Sequence, residues 1–192
     1  MVSVFAAGCA FSPASAATNL DCMNSGYSAA DLKAFDEFAT AFGFDDSDDA
    51  ADVANANVIL GPIASNAVDC AGRHGWSANA IDQAKYHYLI GLLTSAFEKN
   101  PILTSDDVVR LKSAYAKADK TELLASFGEM VRVGIEEGGD SISEPSDADA
   151  VALVQLIVDA GVPLKSDKAE LAGGLLVTYA IQEITSTNFA ND

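Results

Sequence analysis

Two histidines, three cysteines and one dense acidic run are the residues of this 192-residue chain whose types and spacing suit chemistry. His74 lies in Gly72-Arg73-His74-Gly75-Trp76, a glycine-flanked turn beside an arginine, the setting of a metal ligand or a general base. No second imidazole or cysteine stands within helical reach of it, so His74 reads as a surface-loop residue. His87 lies in Tyr86-His87-Tyr88, where an imidazole projecting from a helix would suit a haem iron. Its neighbours at helical spacing are Gln83, Gly91, Thr94 and Glu98, whereas the apolar stripe runs through Ile81, Tyr88, Leu89, Leu92, Ala96 and Phe97. His87 is therefore expected off the core stripe, in a solvated or interfacial place. With Tyr86, Tyr88 and Trp76 it makes up the candidate lining of a ligand or pigment pocket.

Asp45, Asp46, Asp48 and Asp49 are the candidate cation ligands. An EF-hand loop needs Gly at its sixth position and a bidentate Glu at its twelfth. Counted from Asp46 those positions hold Ala51 and Asn57, so the loop pattern fails and the run reads as a carboxylate-rich helix start. The cysteines, Cys9, Cys22 and Cys70, form an odd set. Loss of Cys9 by cleavage or lipidation leaves a pair. A Cys22–Cys70 bridge would tie the segment before the first helix to the end of the second, worth about 4 kcal/mol as a chain-entropy constraint. The alternative is two buried thiols in a reducing compartment. The chain has no CxxC, phosphate-binding glycine loop, G-x-S-x-G elbow or H-E-x-x-H helix, so no catalytic residue, metal or cofactor is expected from motifs.

Charge narrows the partners. A formal charge of −17 disfavours nucleic acid and anionic membrane surfaces. Asp21 to Cys70 holds ten acids against one base, and Glu136 to Asp159 holds seven acids and no base. Lys99 to Arg132 between them is close to neutral. That layout suits solubility, and it also suits steering a basic partner.

Met1–Ala17 is uncharged and built from small and apolar residues. Ala14-Ser15-Ala16 fits the cleavage pattern of an export signal, and Ala6-Ala7-Gly8-Cys9 resembles a lipoprotein box. No basic residue precedes them, and only eight residues stand before Cys9. Two expectations stand side by side: the remnant of a targeting signal, or an apolar arm that docks on another protein. Residues 1–20 are expected to be that arm or signal remnant, and 21–192 a single helical domain with a linker over 137–146 before a C-terminal helical hairpin.

Helix-start chemistry recurs through the domain. Ser28…Asp31, Thr104…Asp107, Asp119…Glu122 and Ser146…Asp149 each predict a capping box, and Ser47, Ser77 and Ser166 simpler caps. Apolar stripes follow: Leu32, Phe35, Phe38, Ala39 and Phe42; Val108, Leu111 and Tyr115; Leu123, Leu124, Phe127, Met130 and Val131; Val151, Val154, Leu156, Ile157 and Val158; Leu171, Leu175, Leu176, Tyr179 and Ile181. The predicted helices span 28–43, 47–72, 77–99, 104–118, 120–137, 147–160 and 166–185, with Pro62 kinking or splitting the second. The fold class is all-α, an irregular bundle of about seven helices with no sheet.

A long first helix, a proline-bearing second and a Tyr86–Tyr88 third helix resemble the globin-like fold of phycobiliproteins. Asn79, Ala80 and Ile81 stand where the resemblance would put the chromophore-bearing cysteine, so what it implies is the fold alone. Three functions are consistent with the residues. The first is a non-catalytic accessory or structural subunit of a larger assembly, in an exported or lumenal compartment and joined to membranes only through its complex or a lipidated Cys9. The second is a helical carrier of a small ligand or tetrapyrrole pigment, and the third an enzyme built on Arg73, His74 and folded-in acids.

Overall fold

In the computed structural model the described residues are 17–42, 49–137, 146–164 and 167–192, with the side chains of 49–57 and 136–137 excepted. Local capping chemistry sets where the helices start. At α1 (Ala29–Ala41) the Asp31 amide donates to Ser28 Oγ at 3.1 Å and the Ser28 amide to Asp31 Oδ2 at 2.9 Å. The same reciprocal box opens α4 (Ser105–Lys117) at Thr104 and Asp107, and α6 (Asp147–Asp159) at Ser146 and Asp149. Ser77 caps α3 (Ala78–Lys99), accepting from the Ala80 amide at 3.0 Å. At α5 (Thr121–Glu137) the expected box gives way to a tighter turn, in which Asp119 accepts from the Thr121 amide and hydroxyl. A short 3-10 turn, Leu20–Asn24, precedes α1, and α2 (Asp49–His74) and α7 (Asp167–Ala190) complete the set. Among the described residues there are seven α-helices and no strand.

Pro62 does not split α2, which runs unbroken through it. The residue before it is Gly61, whose missing Cβ removes one of the clashes that normally bars a helical residue ahead of proline. Buried Ile59 and Ile63 anchor the helix on either side. The expected stop at Gly72 is also late. Gly72, Arg73 and His74 stay helical, and α2 ends at Gly75, whose φ of 72° is the left-handed value that favours glycine.

The most extensive helix pair is α3 with α7. They approach closely at Gly174, where a Cβ would stand 2.5 Å from the Phe97 ring, so any larger residue would force that ring to move. Around this pair lie two cores. The first joins the Leu20–Asn24 turn, α1, α2 and the start of α3, with Met23, Phe35, Phe38, Ile59, Ile63 and Trp76 buried and Phe189 closing it from α7. The second joins α4, α5, α6 and the body of α7 around Leu111, Phe127, Leu175 and Leu176. Within the C-terminal pair of helices, α6 packs in the second core and α7 contributes to both.

Two predicted stripes are partly outside. Leu32 is 52% exposed, since α1 buries only the Phe35, Phe38 and Ala39 face. On α6 the buried residues are Leu153, Leu156 and Ile157, while Val151, Val154 and Val158 are 69%, 44% and 48% exposed.

Candidate functional site

His87 sits between α3 and α7. Its Nδ1 lies 3.1 Å from the Gln182 carbonyl oxygen and 3.1 Å from Thr185 Oγ1. A carbonyl only accepts, so Nδ1 carries the proton and Nε2 keeps its lone pair. Burial pushes the imidazole pKa down, against the opposing pull of the Gln182 carbonyl and of Asp21, which favours a neutral ring. The ring lines a cleft of about 330 Å³ together with Asn19, Asp21, Asn24, Tyr88 and Ser186.

The wall of this cleft opposite α3 is the Leu20–Asn24 turn, and several ties fix it. Cys22 is bonded to Cys70 of α2, with Cα atoms 6.0 Å apart. Trp76 Nε1 donates to the Thr18 carbonyl at 2.8 Å, and Met23 is almost wholly buried. Asn19, which begins the turn, has φ of 68°, a left-handed conformation that asparagine tolerates better than most residues. Its side-chain nitrogen, Nδ2, lies 3.0 Å from Thr18 Oγ1 and 3.3 Å from His74 Nδ1.

The four residues grouped in sequence as a pocket lining face three neighbourhoods. Trp76 packs edge-on against Phe189, with ring centroids 4.8 Å apart. Tyr88 stacks in tilted fashion on Tyr27 beside Phe35, and it alone shares the cleft with His87. Tyr86 lines a separate apolar gap of about 30 Å³ with Phe127, Met130, Val131 and Ile181, space on the scale of one or two waters rather than a tetrapyrrole. His74 is exposed at the end of α2, stacked against Trp76. Of the candidate cation ligands, Asp45, Asp46 and Asp48 lie outside the described residues, as does the side chain of Asp49. Among the described residues no group of three His, Cys, Asp or Glu side chains is placed to hold a metal ion.

A second polar site escaped the sequence. Tyr115 donates to Glu183 Oε2 at 2.9 Å, and Lys120 Nζ meets the same oxygen at 3.0 Å while lying 4.2 Å over the Tyr115 ring. Tyr179 donates to Glu98 Oε1 at 3.0 Å, where Lys112 Nζ approaches to 2.8 Å. The two tyrosine rings are 5.7 Å apart and share a groove of about 360 Å³ with Thr94 and Gln182. Burial first, and then the adjacent carboxylate, raises both hydroxyl pKa values well above the usual range, so the phenols stay protonated. They are fixed donors, not bases or nucleophiles. The arrangement is two charge-balanced ties across α3, α4, α7 and the turn before α5, already saturated by their own partners.

Two buried carboxylates do similar work. Asp107, 3% exposed, receives Lys168 Nζ from α7 at 2.8 Å, Thr104 Oγ1 at 2.7 Å and Arg110 at 2.5 Å. Lys168, Thr104 and Arg110 hold its carboxyl well below the usual carboxylate range against the opposing effect of burial. At Asp149 burial raises the pKa, but hydrogen bonds from Ser146 and Ser126 outweigh it and leave the group lowered.

No helix of the described residues is long and apolar enough to cross a membrane. In comparison with known proteins the chain matches no protein-family model, no curated protein and no solved structure.

Proposed function

We propose that this chain is a non-catalytic accessory subunit of a larger protein assembly, working in an exported or lumenal compartment. The observation that carries the reading is the exposed valine face of α6. Val151, Val154 and Val158 recur at the i, i+3, i+7 spacing that lines one side of a helix, and all three are turned to solvent. β-branched residues do not favour a solvated helix, so local propensity gives no reason for three valines there. The face is flanked by exposed Asp147 and Asp159 and followed by exposed Leu164. Its partner is accordingly a protein surface with an apolar groove and a basic rim. The Cys22–Cys70 bond supports an oxidising compartment.

The test is the size at which the chain travels in an extract of its source cells. The wild type is expected to elute far above the 19.9 kDa of one chain. A V154D/V158D variant, which alters only exposed positions, is expected to elute as a monomer with unchanged helical circular dichroism. A wild type that already elutes as a monomer would sink the proposal.

A further inference from the structure

The cleft beneath the Leu20–Asn24 turn carries one carboxylate and no cationic side chain, its other polar side chains being Asn19, Asn24, His87, Tyr88 and Ser186. Asp21 supplies a carboxylate, and His87 supplies Nε2, which has no partner among the described residues. Asn19 has its side-chain nitrogen committed to Thr18 and His74, which leaves its side-chain oxygen as the group it can offer. No lysine or arginine is among the residues lining the cleft. Three acceptors with no resident cation match the three N–H donors of a primary ammonium group, just as a lysine ammonium would use them. The Tyr88 side chain, beside His87 in the same lining, adds apolar surface for the carbon chain.

The geometry points to a binding site for a small primary amine, its ammonium group held by Asp21, Asn19 and His87 and its alkyl part lying along Tyr88. A cleft of about 330 Å³ is at the small end of ligand sites and fits a short amine rather than a folded peptide. The disulfide-tied turn makes the acceptors preorganised, so little ordering is needed on binding. Near neutral pH the neutral His87 ring keeps Nε2 an acceptor, while an alkylamine is fully protonated.

The experiment is a titration of the full chain with butylamine hydrochloride at pH 7.4, read at the His87 ring signals by nuclear magnetic resonance. Butanol, sodium butyrate and sodium chloride at matched ionic strength are the controls, since a −17 protein attracts any cation. Butylamine is expected to shift the His87 signals saturably, and the three controls are expected not to. Asp21→Asn should weaken the apparent affinity about tenfold through loss of a charge-assisted hydrogen bond. Asp36→Asn, on exposed α1 and paired with Lys99, should leave it unchanged. A shift that fails to saturate, that butanol or sodium chloride reproduces, or that survives Asp21→Asn overturns the site.

Discussion

The two cores are closed by different chemistry. The first, around α1, α2 and the start of α3, is aromatic and covalently tied: Trp76 against Phe189, Phe35 against Tyr27 and Tyr88, and Cys22 bonded to Cys70. The second, around α4 to α7, is mainly aliphatic inside and is tied at its edges by charge: Asp107 with Lys168 and Arg110, Asp149 with Ser126, and Glu183 with Tyr115 and Lys120. A disulfide acts mainly by restricting the unfolded chain, whereas a buried carboxylate acts by its preference for a charged native state. The first region should therefore answer to reductant and the second to acid, although α3 and α7 run through both.

Removing the covalent tie is expected to have the largest effect. A Cys22→Ala, Cys70→Ala double variant should lose about 4 kcal/mol, for a loop closed across 48 positions. Calorimetry should show this as a melting point lower by roughly 10 °C. Hydrogen exchange should then find protection lost first in Leu20–Asn24, α1 and α2, with α5 and α7 retained. Equal loss in both regions would erase the comparison. The next effect belongs to the charge-tied side. Asp107→Asn removes the carboxylate shared by Lys168 and Arg110 and should cost about 2 kcal/mol in urea unfolding at pH 7. Because the folded pKa of Asp107 lies below its unfolded value of 3.8, its contribution is complete above that pH and lost as pH falls through the folded value. The variant should thus converge on wild type in strong acid while the cysteine variant does not.

Smaller effects sharpen the picture. Ser146→Ala should cost about 1 kcal/mol, because the hydroxyl both accepts from the Asp149 amide and donates to its carboxylate. Denaturant unfolding with no change in midpoint would show that α6 gains nothing from its box. The smallest is the histidine at the seam. With its folded pKa below the unfolded 6.5, His87 gives stability that is present above pH 6.5 and declines as pH falls towards the folded value. His87→Gln should flatten the pH–stability curve across that window, leaving the steeper acid limb at lower pH to the carboxylates.

What the sequence makes legible is what depends on near neighbours. Ser28, Thr104 and Ser146 announce their helices because the donor and acceptor of a capping box stand three residues apart. The cysteine pair is legible by elimination, since setting Cys9 aside leaves one partner for each. Of the two effects expected at Pro62, kinking or splitting, the helix is not split, and Gly61 before it removes one of the clashes that proline imposes on its neighbour. Val151, Val154 and Val158 mislead, since α6 is apolar on nearly every side and periodicity alone does not choose which side is covered. The tyrosine–glutamate ties were out of reach: Glu98 and Tyr179 are 81 positions apart, and Tyr115 and Glu183 are 68 apart. His87 is intermediate. Its place off the apolar stripe is readable, but its carbonyl partner on α7 is not.

The pairing of α3 with α7 also has a consequence for how the chain is made. At about 5–20 residues per second, a ribosome that has finished α3 needs on the order of 3–14 s more before α7 begins to appear. Throughout that interval the side of α3 bearing Ile90, Thr94 and Phe97 has no companion from the C-terminal helix. That side of α3 therefore gains its packing partner only once α7 has been translated. A chain truncated just before Asp167 is expected to be insoluble rather than folded.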